Sequence, residues 1–599
     1  MKKIYVYIAT AMLVAGGFSS CNLDKEVDLT FTADNVFADE DMTRGVLANC
    51  YTYLPDAFYG FTQEDALGAF KDCMTDNATP YWNGLRYRSV LQDTYDATGH
   101  SFAEYYLERD IKGIRVCNQF MENARPDVIG NSEKPGDDNK LYERSVAEAR
   151  FIRAMLHFDL VGWFGAIPVE DHVLTQQEAA EIARTPAAEA LQWIANECDS
   201  VKDVLPFRYS NEAENWGRIN GAAAYALKSR ALLYLASPLN NPSKSTDLWQ
   251  KAADAAIAFI NKNKTSSNPY KLYTTSDNNP KQNYYQCFVS TPHLNPEYIL
   301  SRSEWSTSYI ERLSLPCGYT GKQTAVGRTN PTQNLVDAYE TINGLPIEED
   351  PTFDANNPYE NRDPRLEQTI LHQGSIWGDP SDDSRRAVNV TYGTGEDYQA
   401  LHGGTTTGYY TKKFCYEISF KKNASEVNNP HACPIFRYAE MLLNAAEALN
   451  EAGKTNEAYQ YVNEVRARVG MPAYSGMTQD KLRERIQNER RIELCFEDHR
   501  FFDERRWKLF EGKTASSEKN LPRYKQVYNL YGIRWNSETE FQYVQEEKIG
   551  TRAFASPKNY YFPIPDATLK KNPNLGQNPG WELTSNDSGN TGGGTESAE

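Results

Sequence analysis

A mainly α-helical body of paired helices, interrupted by one long loop-rich portion, is the fold class that this sequence predicts. Apolar residues recur at helical spacing in two separated regions. Between them, roughly from Thr265 to Pro434, Asn, Pro, Gly, Ser and Thr replace that periodicity. The chain has 599 residues, 40% hydrophobic and 24% charged, enough for a large helical body with substantial insertions.

In the first region, Val146 to Phe164 is apolar over a wide arc and leaves Glu148, Arg153 and Asp159 for a polar side, the pattern of a helix buried between neighbours. Gly165 and Pro168 stop it. Ile219, Ala222, Ala226 and Leu233 share one helical face, and Leu248, Ala252, Ala255 and Phe259 share another. Helices are therefore expected over 140–164, 182–204, 218–236 and 247–263. In the second region Phe436, Ala439, Leu443 and Ala446 form a stripe, reinforced by Leu442 and Leu449. Gly453-Lys454 breaks it, and a second helix runs from about Asn456 to Val469, closed by Gly470. Alanines at 446 and 458 permit close approach, and this pair resembles a tetratricopeptide repeat; the upstream helices can supply further pairs, although no strict period survives. A third helix, about Gln479 to Phe510, carries dense charge and finishes in aromatics. Loop as long as 265–434 is uncommon in a compact domain unless it serves a function. Residues 511–583 read as irregular, and the tail 584–599 as disordered.

The amino terminus predicts export. Lys2 and Lys3 precede an apolar run, Ile4 to Val14, too short to span a bilayer. Small residues then lead to Cys21, which resembles the lipidated cysteine of a lipobox, with Phe18 departing from the commonest pattern and Ser19 and Ser20 fitting it. A plain secretory signal is the alternative. Residues 1–20 are thus expected to be cleaved and Cys21 to carry acyl chains, each buried CH₂ worth about 0.8 kcal/mol. The acidic stretch Asn22 to Glu26 resembles a surface-export signal of Bacteroidetes lipoproteins; a solvated tether is the plainer reading.

A net charge of −18 argues against nucleic acid and against attachment to anionic lipid heads. With Cys21 set aside, nine thiols cannot all pair with one another, and no CxxC or Cys/His cluster suggests zinc or redox chemistry. Most read as buried small hydrophobes, while Cys415 and Cys433 can pair if a hairpin joins them. No GxSxG, HExxH, Walker A or GxGxxG motif is present, so no catalytic residue is assigned. His157 reads as a packed histidine rather than a general base. Asp379, Asp382 and Asp383 can coordinate calcium, with a solvated loop the simpler interpretation; no other cofactor is implied.

Several blocks, in order, resemble the SusD/RagB family of Bacteroidetes outer-membrane nutrient-binding lipoproteins. They are Glu148–Ala154 leading through Phe158–Leu160 to Phe164–Pro168, then Pro331–Tyr339, Asn361–Leu366, Arg437–Ala448, Glu489–Leu494, Phe562–Pro565 and Asn578–Trp581. The resemblance implies a tetratricopeptide-like scaffold over 21–264 and 435–510, with a loop-rich ligand-binding portion at 265–434 inside a carboxy-terminal unit of 265–583. It also implies a partner: a TonB-dependent transporter barrel, over which such proteins sit as lids and into which they pass oligosaccharide or sometimes peptide. These motifs have a structural reading that needs no ligand. Glu440 and Glu447, seven apart, can pair with arginines, and Arg490 and Arg491 beside Glu489 and Glu493 suggest a solvated or interhelical ion network.

A glycan offers C–H faces to flat rings and hydroxyls to amides, carboxylates and guanidiniums. Loop segments that combine these are Asp76 to Gly84, with Tyr81 and Trp82 among Asp76 and Asn83, and Arg302 to Tyr309, with Trp305 and Tyr309. Trp377 and Tyr319 read as structural, and Trp163, Trp193, Trp216, Trp249 and Trp507 as core or scaffold. The expected function is a non-catalytic glycan-binding lipoprotein on the extracellular face of the outer membrane. A peptide-binding or interaction scaffold and a surface glycan hydrolase are the alternatives.

Overall fold

The computed structural model describes residues 32–582, apart from 59–67, 83–85, 99–101, 130–140, 303–304, 319–324, 382–384, 401–402 and 420–426. The signal segment 1–20, Cys21, the acidic stretch to Glu26, Asn83, Tyr319, Asp382, Asp383 and the tail 584–599 lie outside the described residues.

Nine helices carry the scaffold: α1 (Glu40–Thr52), α2 (Phe102–Asn123), α3 (Leu141–Phe164), α4 (Ala187–Val201), α5 (Gly221–Ala236), α6 (Thr246–Lys264), α7 (Tyr438–Glu451), α8 (Thr455–Arg468) and α9 (Gln479–Glu493). From α2 to α8 each packs on the next, and α9 returns against α7. The stack passes from α6 directly to α7, so residues 265–437 leave between two touching helices and come back to them. Alanine makes that crossing close. Ala252, Ala253, Ala255 and Ala256 of α6 and Ala439, Ala445, Ala446 and Ala448 of α7 are buried. Gly113 serves the same end where α2 meets α3, since a Cβ there would lie 2.6 Å from the Leu156 side chain. Gly165 ends α3 with φ +70°, and a Cβ on it would meet the Tyr561 ring at 2.7 Å.

The excursion between α6 and α7 contains short helices and two-stranded ladders. Tyr298–Ser301 pairs antiparallel with Pro434–Arg437, and Trp305–Thr307 with Asn429–His431, so its two ends run back side by side. A hairpin, Tyr531–Trp535 with Phe541–Gln545, covers it from the carboxy-terminal side and bridges to Thr391.

Two expectations need correction and a third is narrowed. The helix foreseen over 479–510 is broken: α9 ends at Glu493 and α10 (Arg500–Arg506) starts afresh. Phe496 and Asp498 between them adopt φ +61° and +64°. That turn lets Glu497 accept from Arg437 and Lys413, while Asp498 pairs with Lys71 at 2.6 Å, and these ion pairs offset the left-handed backbone. Second, of the solvated and interhelical settings open to Glu489, Arg490, Arg491 and Glu493, the structure takes the interhelical one, while Asp480 and Glu484 nearer the start of α9 stay exposed. Arg437, Arg468, Arg365 and Arg466 meet Glu297, Glu340, Glu489, Glu493 and Asp363 in the interior, and Arg490 pairs with Asp503. Glu440 and Glu447 do pair with arginines, Arg230 and Arg506, but these pairs too are buried. Third, Cys415 and Cys433 are free and buried, as are the other thiols among the described residues.

Candidate functional site

Asp76 opens the first aromatic segment, and it faces inward. Its carboxylate accepts from Arg500 Nε and Nη2 at 2.7 Å each and pairs with Arg491 at 3.2 Å. Burial pushes its pKa up, yet Arg491 and Arg500 outweigh burial and hold it well below the usual carboxylate range. Asp76 is therefore an anchor rather than the ligand-binding group its sequence context suggested. Asn77 beside it is equally buried and accepts from Arg491.

Anchored there, the chain runs outward as a strand, Ala78–Pro80, paired antiparallel with Thr329–Pro331. The Tyr81 N–H donates to the Arg328 carbonyl at 3.1 Å and extends the ladder by one residue. At its end the rings of Tyr81 and Trp82 emerge. Trp82 is 37% exposed, a large value for a tryptophan. The Arg328 guanidinium lies over its ring at 4.4 Å, and Lys548 Nζ over the Tyr81 ring at 3.9 Å while donating to the Tyr81 carbonyl. Burial lowers the pKa of both cations.

Beside Tyr81 lies the short hairpin Gln399–Ala400 with Gly403–Gly404. A Cβ on Gly404 would stand 2.9 Å from the Tyr81 ring and 2.7 Å from the Tyr398 carbonyl, so glycine lets ring and hairpin meet. Tyr398 in turn packs on Tyr392 with ring centroids 4.9 Å apart. Tyr392 is 44% exposed and has Arg534 over its ring at 4.1 Å, itself paired with Glu547 at 2.5 Å. Tyr81, Trp82, Tyr392 and Tyr398 thus belong to one ring-rich surface backed by Arg328, Arg534 and Lys548. The tyrosines at 392 and 398 were missed from sequence. Their setting, glycines and polar residues around two rings in Thr391–Gln399, is the same signal that singled out Trp82.

The second aromatic segment makes a smaller platform. Trp305, on the strand paired to Asn429–His431, stacks with Tyr309 at 6.2 Å and 25°, and Arg312 lies over Tyr309 at 4.1 Å. Tyr309 is 44% exposed and Trp305 half-buried. The two platforms share a main-chain frame. Val326 N–H donates to the Arg312 carbonyl at 2.9 Å, Arg328 N–H to the Leu313 carbonyl at 2.6 Å, and the Arg328 carbonyl accepts from Tyr81.

The model of the SusD family matches residues 255–581, more than half of the chain. The chain belongs to the SusD family. A second model, described as starch-binding associating with outer membrane, matches residues 31–235. SusD-like protein P2 of Formosa agariphila is 26% identical over 392 residues, covering 64% of this chain and 68% of that protein. The starch-binding protein SusD of Bacteroides thetaiotaomicron is 23% identical over 457 residues, 73% of each chain. Among solved structures, a SusD-like protein of Bacteroides fragilis superposes with TM-score 0.71 at 25% identity, covering 91% of this chain and 98% of that one. A SusD-like carbohydrate binding protein of the same species gives 0.67 at 25% identity, covering 90% and 100%.

Other candidates in this SusD-family chain have structural roles. Trp377 is buried. His157 is buried, with Nδ1 2.8 Å from the Arg153 carbonyl and Nε2 accepting from the Glu170 N–H, and burial lowers its pKa to about 4. Asp379 is buried and accepts from Ser381 N–H and Oγ. No group of three or more His, Cys, Asp or Glu among the described residues is placed to hold a metal.

Proposed function

We propose that this protein is a non-catalytic glycan-binding lipoprotein, tethered through Cys21 to the outer membrane on its extracellular face, which hands oligosaccharide to a partner TonB-dependent transporter. The observation that carries the reading is the ring-rich surface of Tyr81, Trp82, Tyr392 and Tyr398, with Trp305 and Tyr309 on the same main-chain frame. Exposed flat rings backed by cations suit the C–H faces of sugars, and the cations and Gln399 beside them suit hydroxyl groups. The family description as starch-binding and associating with outer membrane supports both ligand class and location. The names of the relatives, a starch-binding and a carbohydrate-binding protein, support the ligand class. The lipid tether and its export rest on Lys2 to Cys21.

Isothermal titration against an oligosaccharide selected on a glycan array tests the site. Truncating a ring that covers a sugar face removes about 1.5–3 kcal/mol, so Trp82→Ala should weaken binding roughly 10-fold or more. Equal affinity for both proteins rejects Trp82 as a contact. A peptide array in parallel separates a peptide ligand, and a reducing-end assay that releases no sugar ends is expected of a binder.

A further inference from the structure

Residues of α9, the start of α10 and residues 507–527 line a half-open cavity of about 210 Å³. The charged side chains lining it are Arg485, Arg491, Arg500, Lys513, Lys525 and Glu484, five cations to one acid in a chain whose net charge is −18. Most of these are answered. Arg485 donates to Glu340 and Glu349, Arg491 to Asn77, Asp76 and the Tyr524 carbonyl, and Lys525 to Glu484 at 3.1 Å.

One guanidinium nitrogen and one ammonium are left over. Arg500 is only 6% exposed and spends Nε and Nη2 on Asp76, an acid it shares with Arg491; its Nη1 has no acceptor among the described residues. Lys513 is half-buried and its ammonium has no acceptor there either. Glu518, whose charge reaches it, is engaged in accepting the N–H groups of Val527, Tyr528 and Asn529. Burial accordingly lowers the Lys513 pKa, as expected for a charge awaiting a counter-charge. Leu509 and Val527 add apolar surface. The space is ample for one small anion.

We infer that this cavity binds a single small oxyanion, held by Arg500 Nη1 and Lys513 Nζ. The shared chemistry is a carboxylate or sulfate-like group, carried by one acidic sugar or by a free inorganic ion. Calorimetric titration of the full chain at matched ionic strength tests it with sodium glucuronate, sodium sulfate, sodium phosphate and, as neutral control, methyl glucoside. At least one oxyanion should give saturable heat and methyl glucoside none at this site. Glucuronate alone identifies a sugar acid; sulfate or phosphate binding as well or better identifies an inorganic ion. A hydrogen bond to a charged group contributes about 1.5–3 kcal/mol, so Lys513→Gln should weaken the anion about tenfold or more with an unchanged melting temperature. Lys513→Glu should abolish binding, while Trp82→Ala should leave it intact, which separates this site from the ring platform. No saturable heat from any of the three anions, or equal affinity in wild type and Lys513→Gln, overturns the assignment.

Discussion

Replacing Glu493 by glutamine strikes the centre of the buried ion network with the least change of shape. Its carboxylate accepts from Arg437 Nη1 at 2.7 Å, from Arg468 Nη2 at 2.5 and 2.6 Å and from Arg365 Nη1 at 3.0 Å. The amide removes the negative charge that three guanidiniums share and turns one acceptor into a donor facing them. Breaking a buried pair from one side costs roughly 3–5 kcal/mol, because the partner charge stays buried. Unfolding entropy of about 2.1 cal/mol/K per residue, over 599 residues, gives about 1.3 kcal/mol/K, so Tm should fall by about 3 °C at pH 7. The pH dependence has a definite sign. Burial raises the Glu493 pKa, but Arg468, Arg437 and Arg365 outweigh it and hold the folded value well below the ordinary one near 4.3. A depressed carboxylate contributes its stabilisation fully above the unfolded pKa and loses it as pH falls toward the folded one. The gap between wild type and Glu493→Gln should therefore shrink as pH drops from 7 to 3. Melting curves followed by far-UV circular dichroism at several pH values measure both effects. A Tm equal to wild type at pH 7, or a gap that widens in acid, refutes the reasoning.

The other predictions separate anchors from contacts. Asp76→Asn leaves Arg500 and Arg491 buried without their counter-charge, so it should lower Tm by about 2–4 °C, whereas Trp82→Ala should leave Tm nearly unchanged and affect binding alone. Tyr392→Ala should weaken oligosaccharide binding measurably in the same titration, since its ring is exposed beside Tyr398; unaltered affinity would remove it from the site. Gly165→Ala combines a left-handed backbone with a Cβ 2.7 Å from the Tyr561 ring, and urea unfolding should show a loss of about 1–3 kcal/mol. Cys415 and Cys433 are buried free thiols, and burial raises the pKa of both, so iodoacetamide should leave them unmodified in native protein and modify them after denaturation without reductant; mass spectrometry reads both states.

Periodicity alone marks most of the scaffold. Six helices foreseen from it correspond to α3 to α8, because a helix that buries one face must repeat its apolar residues every three or four positions. The ordered blocks from Glu148 to Trp581 carry the family, and Trp82, Trp305 and Tyr309 stand out as rings set among loop residues. Local pattern contains nothing about partners far away in the chain. That α6 packs on α7 across residues 265–437 follows from alanine faces finding each other in space. Asp76 reads identically in sequence whether it faces ligand or core; Arg491 and Arg500, more than 400 residues on, decide it. The same holds for Arg328 over Trp82, for Arg534 over Tyr392, and for α9, whose dense charge fits a solvated or an interhelical network equally until Arg365, Arg437 and Arg468 converge on it. Helical propensity and apolar spacing are properties of a segment, so sequence determines them; burial and charge pairing depend on which segments meet, and only the tertiary structure supplies that.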